Sequence, residues 1–203
     1  MPNLIFVADP MSSWTYAFRP ELDRILDETG LSVRLIVGGL FVGDRAIPFN
    51  ESFQNYLSRT WDRVSYRSGR PFSPSLPFGP DWVYDTELAC RAVVVAHQLD
   101  EDLTLPFFHR LQDAFYREGA DLTSGDTFPA LADEVGLDGA ELVARLERLD
   151  VISTTRAAFA EAHGLGATGI PTLLLDNGSE LIKVSAGYNR ASHVLRSISV
   201  LLD

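Results

Sequence analysis

This sequence predicts an α/β fold interrupted by an all-helical insertion, and three observations carry that expectation. A short apolar strand, a helix and a second strand follow one another within the first 40 residues. From residue 49 to residue 164 the apolar period turns helical. Strand-like runs then return at residues 172–175 and 181–185, ahead of a last helix with one apolar face. The expected division is an α/β domain of residues 1–48 and 165–203 and a helical insertion of residues 49–164.

Each element has its own signal. Residues 4–8 are continuously apolar over the length of a buried strand. Trp14, Phe18, Leu22, Ile25 and Leu26 recur at helical spacing, and Gly30 ends that helix. Pro20 has no N–H and is expected to kink or restart it. Residues 31–40 read as a second strand closing at Gly38-Gly39, so the unit implies a right-handed crossover and parallel pairing.

Within the insertion, Phe49, Phe53, Tyr56, Leu57, Trp61 and Val64 form one apolar stripe. Leu88, Ala92, Val95 and Leu99 form a second, and Leu105, Phe108, Leu111 and Phe115 a third, which Leu142, Leu146 and Leu149 continue. Asp85-Thr86 and Asp138 stand in capping positions. Residues 67–82, rich in Pro, Gly, Ser and aromatics, form a long irregular connection of the kind that serves as a lid. The turn Asp176-Asn177-Gly178-Ser179 joins the two late strands as an antiparallel pair. The last helix, from about Arg190, would bury Val194, Leu195, Ile198, Leu201 and Leu202.

Composition narrows the function classes. A net charge of −11 repels phosphate backbones and anionic membranes, so neither nucleic acid nor membrane is an expected partner. No apolar run approaches the roughly 18–20 residues of a membrane span. The N-terminus lacks a basic region followed by a long apolar core, which leads to the expectation of a cytoplasmic protein. Cys90 is the only cysteine, so an intramolecular disulfide is excluded. No metal-ligand spacing links it to the four histidines, and no metal is expected. Cys90 sits on a Val-rich helix and reads as a buried inert thiol, while His97, His109, His163 and His193 read as ordinary surface or interface residues. The oligomeric state leaves no signal.

Two segments carry the chemistry. Asp9-Pro10-Met11-Ser12-Ser13-Trp14-Thr15-Tyr16 runs from the end of the first strand into the helix, and Thr168-Gly169-Ile170-Pro171-Thr172 leads into a late strand. Together they resemble the thioredoxin fold and, more narrowly, the DsbA family: a thioredoxin-like fold with an inserted all-helical domain. The family's activity is protein disulfide oxidoreduction by a Cys-x-x-Cys motif, and the resemblance places Ser12 and Thr15 at the two cysteine positions. Such a motif works because a thiolate at a helix N-terminus is stabilised by unpaired N–H groups and the helix dipole, and a second thiol one turn on resolves the mixed disulfide. Hydroxyls perform neither step, so dithiol chemistry by Ser12 and Thr15 is rejected.

The resemblance implies what is left. Pro171 matches the family's cis-proline, which would free the Ile170 N–H and C=O to pair with an extended peptide or a γ-glutamyl tripeptide. Ser13 and Trp14 would rim the same cleft. Kappa-class glutathione transferases and 2-hydroxychromene-2-carboxylate isomerases, also DsbA-like, use a serine at the first cysteine position to stabilise the glutathione thiolate. Ser12 matches that serine, with Ser13 in place of their proline. Their Gly-x-Asp-Arg segment resembles Gly187-Tyr188-Asn189-Arg190, which implies that Asn189 and Arg190 would hold the glutamyl end. Asp9-Pro10-Met11, Trp14 and Ala89-Cys90-Arg91-Ala92 look like the FrnE-type branch.

The expectation is a redox-inactive or diverged member, without a resident cofactor, that binds a small thiol ligand or an extended peptide. The alternative is a glutathione-dependent transferase or isomerase with glutathione as co-substrate. Plainer roles stand beside these. Ser12 and Ser13 can act as N-caps, each contributing about 1 kcal/mol, with capping the expected sole role of Ser13. Thr15 can fill the space of the lost cysteine, and Trp14 and Tyr16 can be core packing.

Overall fold

The structure, a computed structural model, describes residues 2–73 and 76–202. Strand β1 (Asn3–Ala8) sends Leu4, Phe6 and Ala8 into a large core and Ile5 and Val7 into a smaller one. That two-residue alternation, apolar on both sides, is what a strand covered on both faces requires. Helix α1 (Ser13–Thr29) follows and ends at Gly30, whose positive φ of 65° lets its N–H reach the Leu26 carbonyl at 2.8 Å. Contrary to expectation, α1 runs through Pro20 without a restart. The ring sits on the exposed side and removes one N–H, while Tyr16, Phe18, Leu22 and Ile25 clamp the buried side.

Strand β2 (Val33–Val37) pairs parallel with β1 and is shorter than the predicted 31–40. The Gly38 N–H still bonds the Ala8 carbonyl at 2.8 Å, but Gly39 at φ +59° turns the chain away, and the Leu40 N–H goes to the Asp9 carboxylate at 2.7 Å. A Cβ on Gly38 would lie 2.5 Å from Ile170 Cδ1, so a larger residue there would have to displace the Ile170 side chain.

Between β2 and the late strands come β3 (Ile47–Pro48), α2 (Glu51–Ser68), β4 (Val83–Tyr84), α3 (Glu87–Leu99), α4 (Thr104–Asp113), α5 (Phe128–Asp133), α6 (Gly139–Leu146) and α7 (Leu149–Gly164). Strands β3 and β4 pair antiparallel as a separate two-residue ladder. Asp138 accepts from the Glu141 N–H at 2.9 Å, the capping geometry its position predicts. Asp85 likewise accepts from the Glu87 N–H at 2.8 Å, but Thr86 turns its hydroxyl to Asp9 instead of capping α3.

The predicted stripes shift in places. Tyr56 is 53% exposed and Leu149 83% exposed. Leu149 opens a new helix after a break at Glu147-Arg148, so the register of Leu142 and Leu146 is not carried across. On α4 Leu105 is only half-buried, and Phe107 takes a buried place beside Phe108 and Leu111.

The stretch read as a lid is tied down to the core by its partly buried aromatics. Helix α2 takes up its first residues, and Phe72 packs its ring against Tyr16, Trp61 and Tyr116. Phe78 stacks on Trp82 at 4.2 Å, and the Trp82 indole N–H donates to Asp121 at 2.9 Å and Thr123 at 3.0 Å. Partly buried aromatic rings packed against the core from both ends of the loop hold it down. Pro74 and Ser75 of that stretch lie outside the described residues.

Strand β5 (Thr172–Asp176) then pairs antiparallel with β1, and β6 (Leu181–Ala186) antiparallel with β5, giving the sheet order β2-β1-β5-β6. Helix α8 (Ala191–Leu202) buries Val194 and Ile198 but leaves the terminal Leu202 42% exposed. Residues of α1, α8 and the inserted helices share the large core with one face of the sheet, and Ala158 and Ala162 of α7 pack on the other. Among the described residues no helix is long and apolar enough to cross a membrane.

Candidate functional site

The turn between β1 and α1 is built around Asp9, a fully buried carboxylate. Its Oδ1 accepts from the Met11 N–H at 2.8 Å. Its Oδ2 accepts from the Leu40 N–H and the Thr86 hydroxyl, each at 2.7 Å, and from Cys90 Sγ at 3.5 Å. Burial raises the Asp9 pKa, against the opposing pull of those donors. The Tyr84 hydroxyl donates to the Met11 carbonyl at 2.6 Å and fixes the turn from the other side. Cys90 is buried, and burial with the Asp9 charge pushes its thiol well up, which matches an inert role.

Ser12, in extended backbone, is the N-cap: its Oγ accepts from the Thr15 N–H at 3.3 Å, and Ser13 is the first helical residue. The capping expected of Ser13 therefore falls to Ser12. Because Ser12 Oγ accepts there, its own proton can still be donated. Thr15 is 1% exposed and fills the space at the second motif position, with Oγ1 buried and lacking a hydrogen-bond partner among the described residues.

Opposite, the Ile170–Pro171 bond is cis, and the Pro171 carbonyl accepts from the Gly187 N–H at 2.7 Å. Ile170 itself has neither N–H nor C=O in a hydrogen bond among the described residues. A cleft of about 460 Å³ opens here, lined by Trp14, Arg63, Arg67, Ile170, Gly187 and Tyr188. The Trp14 and Tyr188 rings lie 6.0 Å apart on its rim. Tyr16, by contrast, is core: it is fully buried, stacked 4.8 Å from Tyr116 and covered by the Arg70 guanidinium at 4.0 Å.

The structure thus gathers Trp14 and Ile170 at one cleft, with Pro171 buried beside Ile170 in the chain. Ser12 and Thr15 are buried and do not line it. Asn189 and Arg190 are engaged elsewhere. The Asn189 amide donates to Ser185 Oγ at 3.0 Å and the Ala186 carbonyl at 3.2 Å. The Arg190 guanidinium bonds Glu21 at 2.9 Å and the Arg67 carbonyl at 3.2 Å. Glu21 also takes the Tyr188 hydroxyl at 3.1 Å and the Ala191 N–H at 2.8 Å, capping α8. Burial works against its charge, but those donors together hold its pKa below the usual value.

Sequence reading assigned no role to Asp9, Arg63 or Arg67. Asp9 had a visible signal, an acid closing an apolar strand, whereas Arg63 and Arg67 stand on the exposed side of a stripe read for its buried side. His109 also departs from its expected surface role. It is half-buried beside Arg19, and desolvation, then the Arg19 charge, push its pKa down to about 3. Among the described residues no three His, Cys, Asp or Glu side chains gather as a metal site.

A mixed sheet, an inserted helical block and a cis-proline lead-in facing a capped helix start define a thioredoxin-type domain whose motif carries no thiol. The match of a family model over residues 3–195 makes the assignment specific: the chain belongs to the DSBA-like thioredoxin domain family. Among solved structures it is similar to a putative protein disulfide isomerase from Nitrosomonas europaea, at 26% identity and TM-score 0.89, covering 99% of this chain and 97% of that one. It is also similar to the cytosolic disulfide reductase DsbM from Pseudomonas aeruginosa solved with GSH, at 25% identity and TM-score 0.76, covering 98% of each chain. A 2-hydroxychromene-2-carboxylate isomerase shares the fold at 15% identity and TM-score 0.66, covering 98% of this chain and 93% of that one. Comparison with curated protein sequences gives no significant match.

Proposed function

We propose that this DSBA-like protein is a binding module without dithiol chemistry, holding a small thiol ligand or an extended peptide against Ile170 and Pro171. One observation carries the reading: among the described residues the Ile170 N–H and C=O are without partners, and Ile170 lines an open cleft rimmed by Trp14 and Tyr188. An extended ligand backbone supplies the complementary acceptor and donor, and the two rings supply apolar contact. The similarity to DsbM, solved with GSH, supports a thiol ligand. A cytoplasmic setting belongs to this reading, because thiols stay reduced there.

A second reading is favoured by one detail. The Ser12 hydroxyl accepts its capping bond and retains a proton, and a ligand thiolate that reached past the cleft lining to this buried group would meet the donor that glutathione-dependent transfer or isomerisation needs. Both readings are tested by thermal shift with reduced glutathione on the wild type, Trp14→Ala and Ser12→Ala. Ligand at ~100 times its dissociation constant stabilises the fold by roughly 2.7 kcal/mol. The binding reading expects a raised Tm that shrinks in Trp14→Ala. Loss in Ser12→Ala of turnover of an electrophilic substrate would favour the enzyme. No shift from glutathione or from an extended test peptide overturns the binding reading.

A further inference from the structure

One wall of the cleft belongs to the helical insertion, where α2 contributes Arg63 and Arg67. Four residues apart, they lie on one helix face within reach of the same ligand. Most arginines elsewhere are matched, among them Arg19 and Arg70 to Asp113, Arg91 to Glu87, and Arg110 to Glu118 and Glu134, while Arg45, Arg59 and Arg196, outside this cleft, are not in ion pairs among the described residues. Among the described residues Arg63 and Arg67 make no ion pair. Arg63 reaches only the Thr60 hydroxyl, at 3.4 Å.

The carboxylate bound to the rim residue Tyr188 is Glu21, and it is already matched by Arg190 at 2.9 Å and by the α8 N-terminus. The wall therefore keeps two positive charges that repel each other, in a chain whose net charge is −11. Guanidinium groups bind carboxylates through paired N–H donors, and those bonds are stronger than neutral ones. Across the cleft Ile170 presents an amide-pairing edge. The two walls together suit a short peptide-like molecule with a free carboxylate.

We propose that Arg63 and Arg67 form a carboxylate-binding subsite, and that the ligand class of this cleft is a small anionic peptide rather than a neutral or basic one. The inference rests on the binding reading above. It is tested by calorimetry with reduced glutathione and with its diethyl ester, which keeps the amides and thiol but loses both carboxylates. The proteins are the wild type, the double variant R63Q/R67Q and, as control, R59Q, altered at an exposed arginine of α2 outside the cleft.

Glutathione should bind the double variant about tenfold or more weakly. Ester binding should stay unchanged among all three proteins, and R59Q should match wild type. Equal affinity of the wild type for acid and ester, or full glutathione binding by R63Q/R67Q, overturns the subsite and leaves the cleft reading intact. Failure of the wild type to bind either probe overturns the subsite, and the cleft reading falls with it when an extended test peptide also fails to bind.

Discussion

The two ends of the turn that opens α1 are treated in opposite ways. Asp9 is buried with all its donors in place, drawn from the turn itself, the segment after β2 and the start of α3. Thr15, on the first turn of the helix, is as deeply buried with its hydroxyl unmatched. The fold makes its demand at Asp9, where one carboxylate ties the α/β part to the inserted helices. At the motif position it asks only for a small side chain. Loss of the thiols therefore leaves the scaffold and the cleft standing.

The largest expected effect is at Asp9. Asp9→Ala strands several buried donors and should lower stability by about 3–5 kcal/mol, read as a reduced midpoint in urea unfolding. Asp9→Asn keeps the size but cannot accept from all of those groups, and falls between Ala and wild type. If Asp9→Ala melts with the wild type, the contrast between the two ends collapses.

How much of this was legible depends on where each partner lies in the chain. The strand runs and their pairing are local patterns, and they stand, with the second strand shortened to Val33–Val37. Apart from the Met11 N–H, the donors to Asp9 come from residues 40, 86 and 90, so nothing near residue 9 announces them. Residues 67–82 looked like a lid because Pro, Gly and Ser mark loops, yet their aromatics pack against the core, a tertiary outcome that local composition does not carry. Asn189 and Arg190 look free in the sequence. Arg190 meets Glu21 and Asn189 folds back on β6 only once the chain is packed.

The next effect concerns acid. The Asp9 pKa is raised by burial, so its contribution favours folding at low pH and is lost as pH rises through its folded value. His109 has the opposite sign. Its pKa falls from 6.5 to about 3, so its contribution is complete above pH 6.5 and is lost as pH falls toward 3. Folding should weaken across that window by on the order of 3 kcal/mol. The slope should flatten in His109→Gln, as measured by urea midpoints at stepped pH. A slope unchanged in His109→Gln would assign the acid response to other groups.

The smallest effects separate the two motif hydroxyls, and they test the contrast most finely. Ser12→Ala removes the one side-chain acceptor at the start of α1 and should cost about 1 kcal/mol, toward the low end because the capping bond is 3.3 Å long. Thr15→Val keeps the shape and deletes a hydroxyl that bonds nothing, so stability should hold or rise by up to about 1 kcal/mol. A loss in Thr15→Val equal to that in Ser12→Ala would mean that the Thr15 hydroxyl finds a partner in solution, such as a buried water. The second motif position would then be a polar site, and the motif would retain a hydrogen-bonding function there after the loss of its thiols.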